Sequence, residues 1–165
     1  MNAAAKIVRQ KLIGRYPTHI STDLFRVGAN EKVILRDYAK QQKLGRHSFD
    51  IKLNPEDGLA HPATGEYFNG PNGASLRPNT QFMQEIIRKF RGRYVTVYML
   101  KEGTKLPEDL VLLHEHSDHY SLQCTKPMKL SDLNKKLTQF CSEKGEKMSQ
   151  AEFCERFPLE SAQFV

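Results

Sequence analysis

Residues 54–79 constrain this fold more than any other stretch, because Gly, Pro and Asn recur there too often for a helix or strand to run through. A loop of that length in a compact chain is uncommon unless it is functional or disordered. Tyr67, Phe68 and Leu76 punctuate it, so it reads as an ordered functional loop. Regular elements must therefore form on either side. Residues 3–13 favour helix until Gly14 and Pro17 stop them, giving an expected N-terminal helix within 1–20. Leu24-Phe25-Arg26-Val27 reads as a short strand ended by Gly28, and 31–42 as a helix with Val33, Ile34 and Tyr38 inward. Phe82, Ile86, Ile87 and Phe90 mark a helix over 80–91, capped by Asn79 or Thr80. Strands follow at 93–100, 110–113 and 119–124. Ser131 is the expected cap of a helix through Leu133, Leu137 and Phe140, and Ser149-Gln-Ala-Glu152 is a capping box within a C-terminal helical segment at 145–165. Strands and helices do not alternate strictly. That excludes a doubly wound parallel sheet and predicts a single α+β domain over 1–165 with mostly antiparallel strands.

Composition narrows the class. The 165 residues suffice for one core without staples. Cys124, Cys141 and Cys154 are odd in number and widely spaced, which argues for free thiols rather than a disulfide frame or zinc knuckle. Lys6, Arg9 and Lys11 break every apolar run near the start, so no secretory signal is expected, and no window is apolar enough for a membrane span. The expected place of action is the cytoplasm. The net charge of +6 admits an anionic ligand or a nucleic acid. Its densest cluster, Arg88, Lys89, Arg91 and Arg93, sits at a helix end, where cations complement the helix dipole.

The chain lacks a phosphate-binding Gly loop ending in Lys-Ser/Thr, a G-x-G-x-x-G turn and a G-x-S-x-G elbow. His114, His116 and His119 invite a metal reading, but no thiolate or second His segment accompanies them, so no metal is expected. Arg26 interrupts an otherwise apolar strand. Turned outward it is a surface residue; turned inward it needs a partner, and a diphosphate suits its planar fork. In Gly73-Ala74-Ser75-Leu76-Arg77, two small residues precede a hydroxyl and allow a ligand to approach the backbone closely.

Several ordered blocks carry a family resemblance: Leu24-Phe25-Arg26, Asp57-Gly58-Leu59 with Pro62 and Thr64-Gly65, Gly73 with Ser75, Gly103-Thr104 with Pro107 and Asp109-Leu110, His119-Tyr120-Ser121-Leu122, and Lys126-Pro127-Met128. Over 24–140 the chain resembles the NAD-dependent ADP-ribosyltransferase toxins that bacteria deliver through the type VI secretion system (exported effector number two), a family with fungal members. The resemblance implies an ADP-ribosyltransferase-like split antiparallel sheet flanked by helices, with NAD as substrate in its cleft. It further implies that Arg26 binds the NAD phosphates and ribose, that Ser75 supports the nicotinamide wall, and that Tyr120 and Tyr67 line the pocket. A macromolecular acceptor and a cognate antidote protein are the implied partners.

His119 stands where the superfamily places a Glu that stabilises the oxocarbenium ion. Neutral His accepts a hydrogen bond but brings no negative charge. In an extended 115–119 segment Glu115 shares parity with His119 while Asp118 faces away, so Glu115 is the substitute carboxylate. The catalytic candidates are thus His119, Ser75 and Glu115. NAD hydrolysis, phosphate transfer from RNA to NAD on the same fold, and a non-enzymatic basic nucleic-acid-binding module remain alternatives.

Overall fold

Residues 9–164, which the computed structural model describes, form in chain order β1 (Gly14–Tyr16), β2 (Leu24–Gly28), α1 (Tyr38–Lys43), β3 (Ala74–Leu76), α2 (Gln81–Lys89), β4 (Thr96–Leu100), β5 (Leu110–His116), β6 (His119–Cys124), α3 (Leu130–Lys144), β7 (Glu146–Ser149) and α4 (Gln150–Arg156). A short 3-10 helix, Leu159–Ser161, follows. The fold is α+β, and every pair of strands in it is antiparallel. The strands divide into two sheets, ordered β1-β5-β6-β3 and β2-β4-β7. One bridge joins the two sheets: Phe25 N donates to Arg77 O at 2.7 Å and Arg77 N to Phe25 O at 3.1 Å. No helix among the described residues is long and apolar enough to cross a membrane.

Side chains alternate across a strand, so β2 and β4 feed two cores at once. Leu24, Tyr98 and Leu100 join the larger cluster, with Leu112, Leu122 and the inner face of α3. Phe25, Val97 and Met99 face the other way, onto Met83 and Ile87 of α2 and Phe153 of α4. Phe25 meets the Phe153 ring edge-on at 5.4 Å. Arg26 shares parity with Leu24, so it projects on the side of the larger core.

Tertiary contacts overrode several local propensities. Of the helix expected over 3–13, residues 3–8 lie outside the described residues. Residues 9–13 are not helical: Lys11 bridges Tyr67, and Ile13 N donates to His114 O at 2.9 Å. No helix occurs in 9–20, which instead holds β1. The helix expected over 31–42 begins only at Tyr38. Ahead of it, α3 takes the backbone donors, Val33 N to Thr138 Oγ1 at 2.9 Å and Leu35 N to Asn134 Oδ1 at 3.0 Å. Val33 and Leu35 therefore point inward, and Ile34 outward, at 61% exposure. α2 is capped by the Thr80 side chain as expected, but its inner face is Met83, Gln84 and Ile87. Phe82 lies outside, with the Arg77 guanidinium 4.8 Å over its ring. α3 starts at Leu130 with no side-chain cap, not at Ser131, because paired hydrogen bonds between Ala60 and Met128 already fix its entry. β4 begins at Thr96, three residues later than the strand expected from 93. The expected C-terminal helix is preceded by β7, a polar Glu-Lys-Met-Ser segment held by the edge of β4. The capping box is present, with Ser149 Oγ accepting from Glu152 N at 3.0 Å.

The long loop is ordered by its own polar groups. Asn72 Nδ2 donates to His61 O at 2.9 Å and to Gln123 Oε1 at 3.0 Å. Gly73 carries a different constraint from the one read in sequence. A Cβ there would stand 2.2 Å from Leu122 O, so the close approach is made by the β6 backbone. Gly73→Ala should therefore force β3 from β6 and destabilise the chain by about 2 kcal/mol. An unchanged denaturant midpoint would contradict that account of the β3–β6 edge.

Candidate functional site

Glu115 reaches the site through a fault in the β5–β6 hairpin. The register runs His114↔Tyr120 and then His116↔His119, so Glu115 is the extra residue of a bulge. Ser117 takes φ 41° in the two-residue turn, the sign that primed hairpin turns use. The bulge sends the Glu115 side chain inward, where it is 2% exposed, beside His119 at the start of β6.

Three remote segments then meet. Ser75 Oγ lies 2.8 Å from His119 Nε2. His119 Nδ1 lies 2.9 Å from Glu115 Oε1. That last pair is out of line for a hydrogen bond, leaving both atoms buried without a hydrogen-bond partner, so the contact as it stands is electrostatic. On the other side Arg26 Nη1 donates to Ser75 O at 3.3 Å. This is the only side-chain hydrogen bond of Arg26 among the described residues, and no ion pair accompanies it there. Burial pulls its pKa below the ordinary guanidinium value; a guanidinium stays charged in such settings. A half-buried cation without a carboxylate suits an anionic ligand.

Proton positions can be assigned from this network. A carboxylate oxygen 2.9 Å from Nδ1 requires a proton between them, so neutral His119 carries its hydrogen on Nδ1. Nε2 is then an acceptor, and the Ser75 hydroxyl donates to it. Arg77 Nη1 donates to Ser75 Oγ at 3.3 Å, which leaves that proton free to point at His119.

Two neighbouring hollows share this constellation. One, of about 400 Å3, contains Arg26, and the other, of about 370 Å3, contains Glu115 and His119. Ser75, Arg77, Arg36 and Asp50 line both, which makes one continuous trough. A third hollow of about 340 Å3 adjoins it through Pro71, Asn72 and Glu115. Tyr67 lies in that third hollow, one step from the centre. Tyr120 does not line the trough. It alternates to the opposite face of β6, stacks on His114 at 3.9 Å and joins the main core. The largest hollow, about 980 Å3, sits elsewhere, near Lys32, Tyr94 and Lys147, without any comparable polar convergence.

Sequence reading missed Arg77, Arg36 and Asp50. Arg77 Nε donates to Asp118 Oδ1 at 3.2 Å, and Asp118 also accepts from Thr80 Oγ1 at 2.5 Å. Two residues beyond Ser75 on an extended segment, Arg77 shares its face, a signal that could have found it. Arg36 pairs with Asp50 through Nε at 3.0 Å and Nη2 at 2.9 Å, a long-range pairing that nothing in the sequence announces. Among the described residues no group of three or more His, Cys, Asp or Glu is placed to hold a metal ion.

A family model described as Tse2 ADP-ribosyltransferase toxin matches residues 22–153. Neither a curated protein nor a solved structure matches the chain.

His116 stacks on His119 at 5.1 Å, and its pKa is lowered, by burial first and then by the neighbouring imidazole. A folded-state value below the unfolded one means that His116 supports stability above about 6.5 and loses that support as pH falls from there toward its folded value. An NMR titration should place its midpoint below about 6.5; a midpoint above that would contradict the burial of this edge.

Proposed function

The chain belongs to the Tse2 ADP-ribosyltransferase toxin family, and from that premise we propose that it binds NAD in the trough, releases nicotinamide and transfers ADP-ribose to a macromolecule inside the target cell. The observation that carries this reading is the convergence of Arg26, Ser75, His119 and Glu115, drawn from three distant segments, along one hollow. The unpaired Arg26 guanidinium takes the diphosphate, to which it can donate two parallel hydrogen bonds. The nicotinamide ribose lies over Ser75 and His119, and Tyr67 in the adjoining hollow is a contact for the outer part of the ligand.

Cleavage breaks the bond between ribose C1′ and the pyridinium nitrogen. The electron pair leaves with nicotinamide, which becomes neutral, and positive charge develops on C1′ and the ring oxygen. An acceptor nucleophile adds at C1′ and loses its proton. Negative charge placed before the reaction lowers this barrier because it costs no reorganisation at the transition state. Glu115 supplies it. His119 transmits it, its Nδ1–H facing the carboxylate so that Nε2 is a stronger acceptor toward the reacting end. The buried and unpartnered Glu115 oxygen is the residue-level support for this role. An antidote protein covering the trough would fit a chain that must be silenced where it is made.

Incubation with labelled NAD and cell lysate should release nicotinamide and label macromolecules. Label found only in free ADP-ribose would redirect the reading to hydrolysis. Arg26→Ala should raise KM with the fold intact. Glu115→Gln should instead lower kcat, by roughly 10²–10³-fold, with little change in KM. Equal activity of Glu115→Gln and the parent would remove the carboxylate from the mechanism.

A further inference from the structure

Ser75 lines both main hollows, and its surroundings exceed what supporting a ligand requires. Its Oγ is hydrogen-bonded at 2.8 Å to an imidazole nitrogen that must be unprotonated, and the far nitrogen of that ring faces a buried carboxylate at 2.9 Å. A hydroxyl, a base and a charged group that steadies the base are the arrangement by which a serine is made nucleophilic. Arg77 Nη1, 3.3 Å from Oγ, adds positive charge that favours a developing alkoxide. Glu115 cannot itself reach a substrate carbon in this way, because it is 2% exposed. Ser75 is also part of a short edge strand fixed by β6, so its hydroxyl is held at one place in the trough.

We propose that Ser75 is the first acceptor: its Oγ takes ADP-ribose from NAD in a covalent step before the final acceptor receives it. This deepens the reading above and rests on it. In the first displacement an Oγ lone pair bonds to C1′ while the C1′–N bond breaks onto nicotinamide, and the hydroxyl proton passes to His119 Nε2. The imidazolium so formed faces Glu115. In the second, Nε2 returns the proton to Oγ as the C1′–O bond breaks. The acceptor hydroxyl adds at C1′ from the opposite face and its proton is lost to water. Two inversions give net retention at C1′, the outcome that separates this route from a single direct displacement.

The test uses the intact chain with NAD and methanol as a simple acceptor. NAD is β at C1′, so the covalent route gives β-methyl ADP-ribose and direct displacement gives the α product, which NMR distinguishes. In parallel, an NAD analogue bearing a 2′-fluorine in the arabino configuration slows the second step by withdrawing electrons from C1′. Peptide mapping after acid quench should then find ADP-fluororibose on Ser75. Ser75→Ala should lose the adduct, and its nicotinamide release should fall on the order of 10²-fold, with an unchanged thermal melt to show that it folds. An α product together with an unmodified Ser75 overturns the covalent step while leaving the transferase reading in place, as does an adduct on Glu115. NAD left intact by the parent chain overturns both.

Discussion

Everything at the site depends on where Arg77 sits. Its backbone makes both hydrogen bonds of the single bridge between the two sheets, at 2.7 and 3.1 Å to Phe25. That bridge fixes β2 beside β3 and so sets Arg26 against the Ser75 carbonyl. Its side chain then reaches the hairpin at Asp118 and the Ser75 hydroxyl, while Phe82 covers its outer face. One residue thus couples the split between the sheets to the groups that line it. Asp118, shared between Arg77 and the capping residue Thr80, ties the same point to the start of α2.

A second constraint is electrostatic. Replacing a superfamily glutamate with histidine at position 119 removes a negative charge from a reaction that generates a positive one. The β5–β6 bulge restores a carboxylate by inserting one residue whose side chain turns inward. A buried carboxylate without full hydrogen bonding is costly, and fold stability gives no reason to keep it there. The proximity of an imidazole that it can polarise does give one. The three guanidiniums of the trough are not equivalent in this respect. Arg36 is neutralised by Asp50 and Arg77 by Asp118, whereas Arg26 keeps its charge for a ligand.

The sequence made the chemistry of the site more legible than its frame. Arg26, Ser75, His119 and Glu115 stand out because each breaks an apolar or small-residue pattern, and a polar residue where burial is expected signals a partner. Strict alternation in 119–124 and the Thr80 and Ser149 caps are local signals, and they persisted. Residues 9–13 and 31–37 misled because their donors are taken by β5 and the long loop in one case and by α3 in the other. β7 has no strand propensity of its own and exists because β4 offers an edge. Tyr120 was grouped with His119 by adjacency, although neighbours on a strand point to opposite faces. The pairings of Arg36 with Asp50 and Arg77 with Asp118 span the chain, and periodicity does not report them.

The most direct measurement is a structure of the chain with an NAD analogue whose nicotinamide-ribose ring oxygen is replaced by carbon, which binds without being cleaved. The diphosphate should lie on Arg26 and the nicotinamide-bearing carbon within contact of Ser75 Oγ and His119. A dinucleotide seated in the larger hollow near Tyr94, or none bound at saturating concentration, would contradict the account at its root.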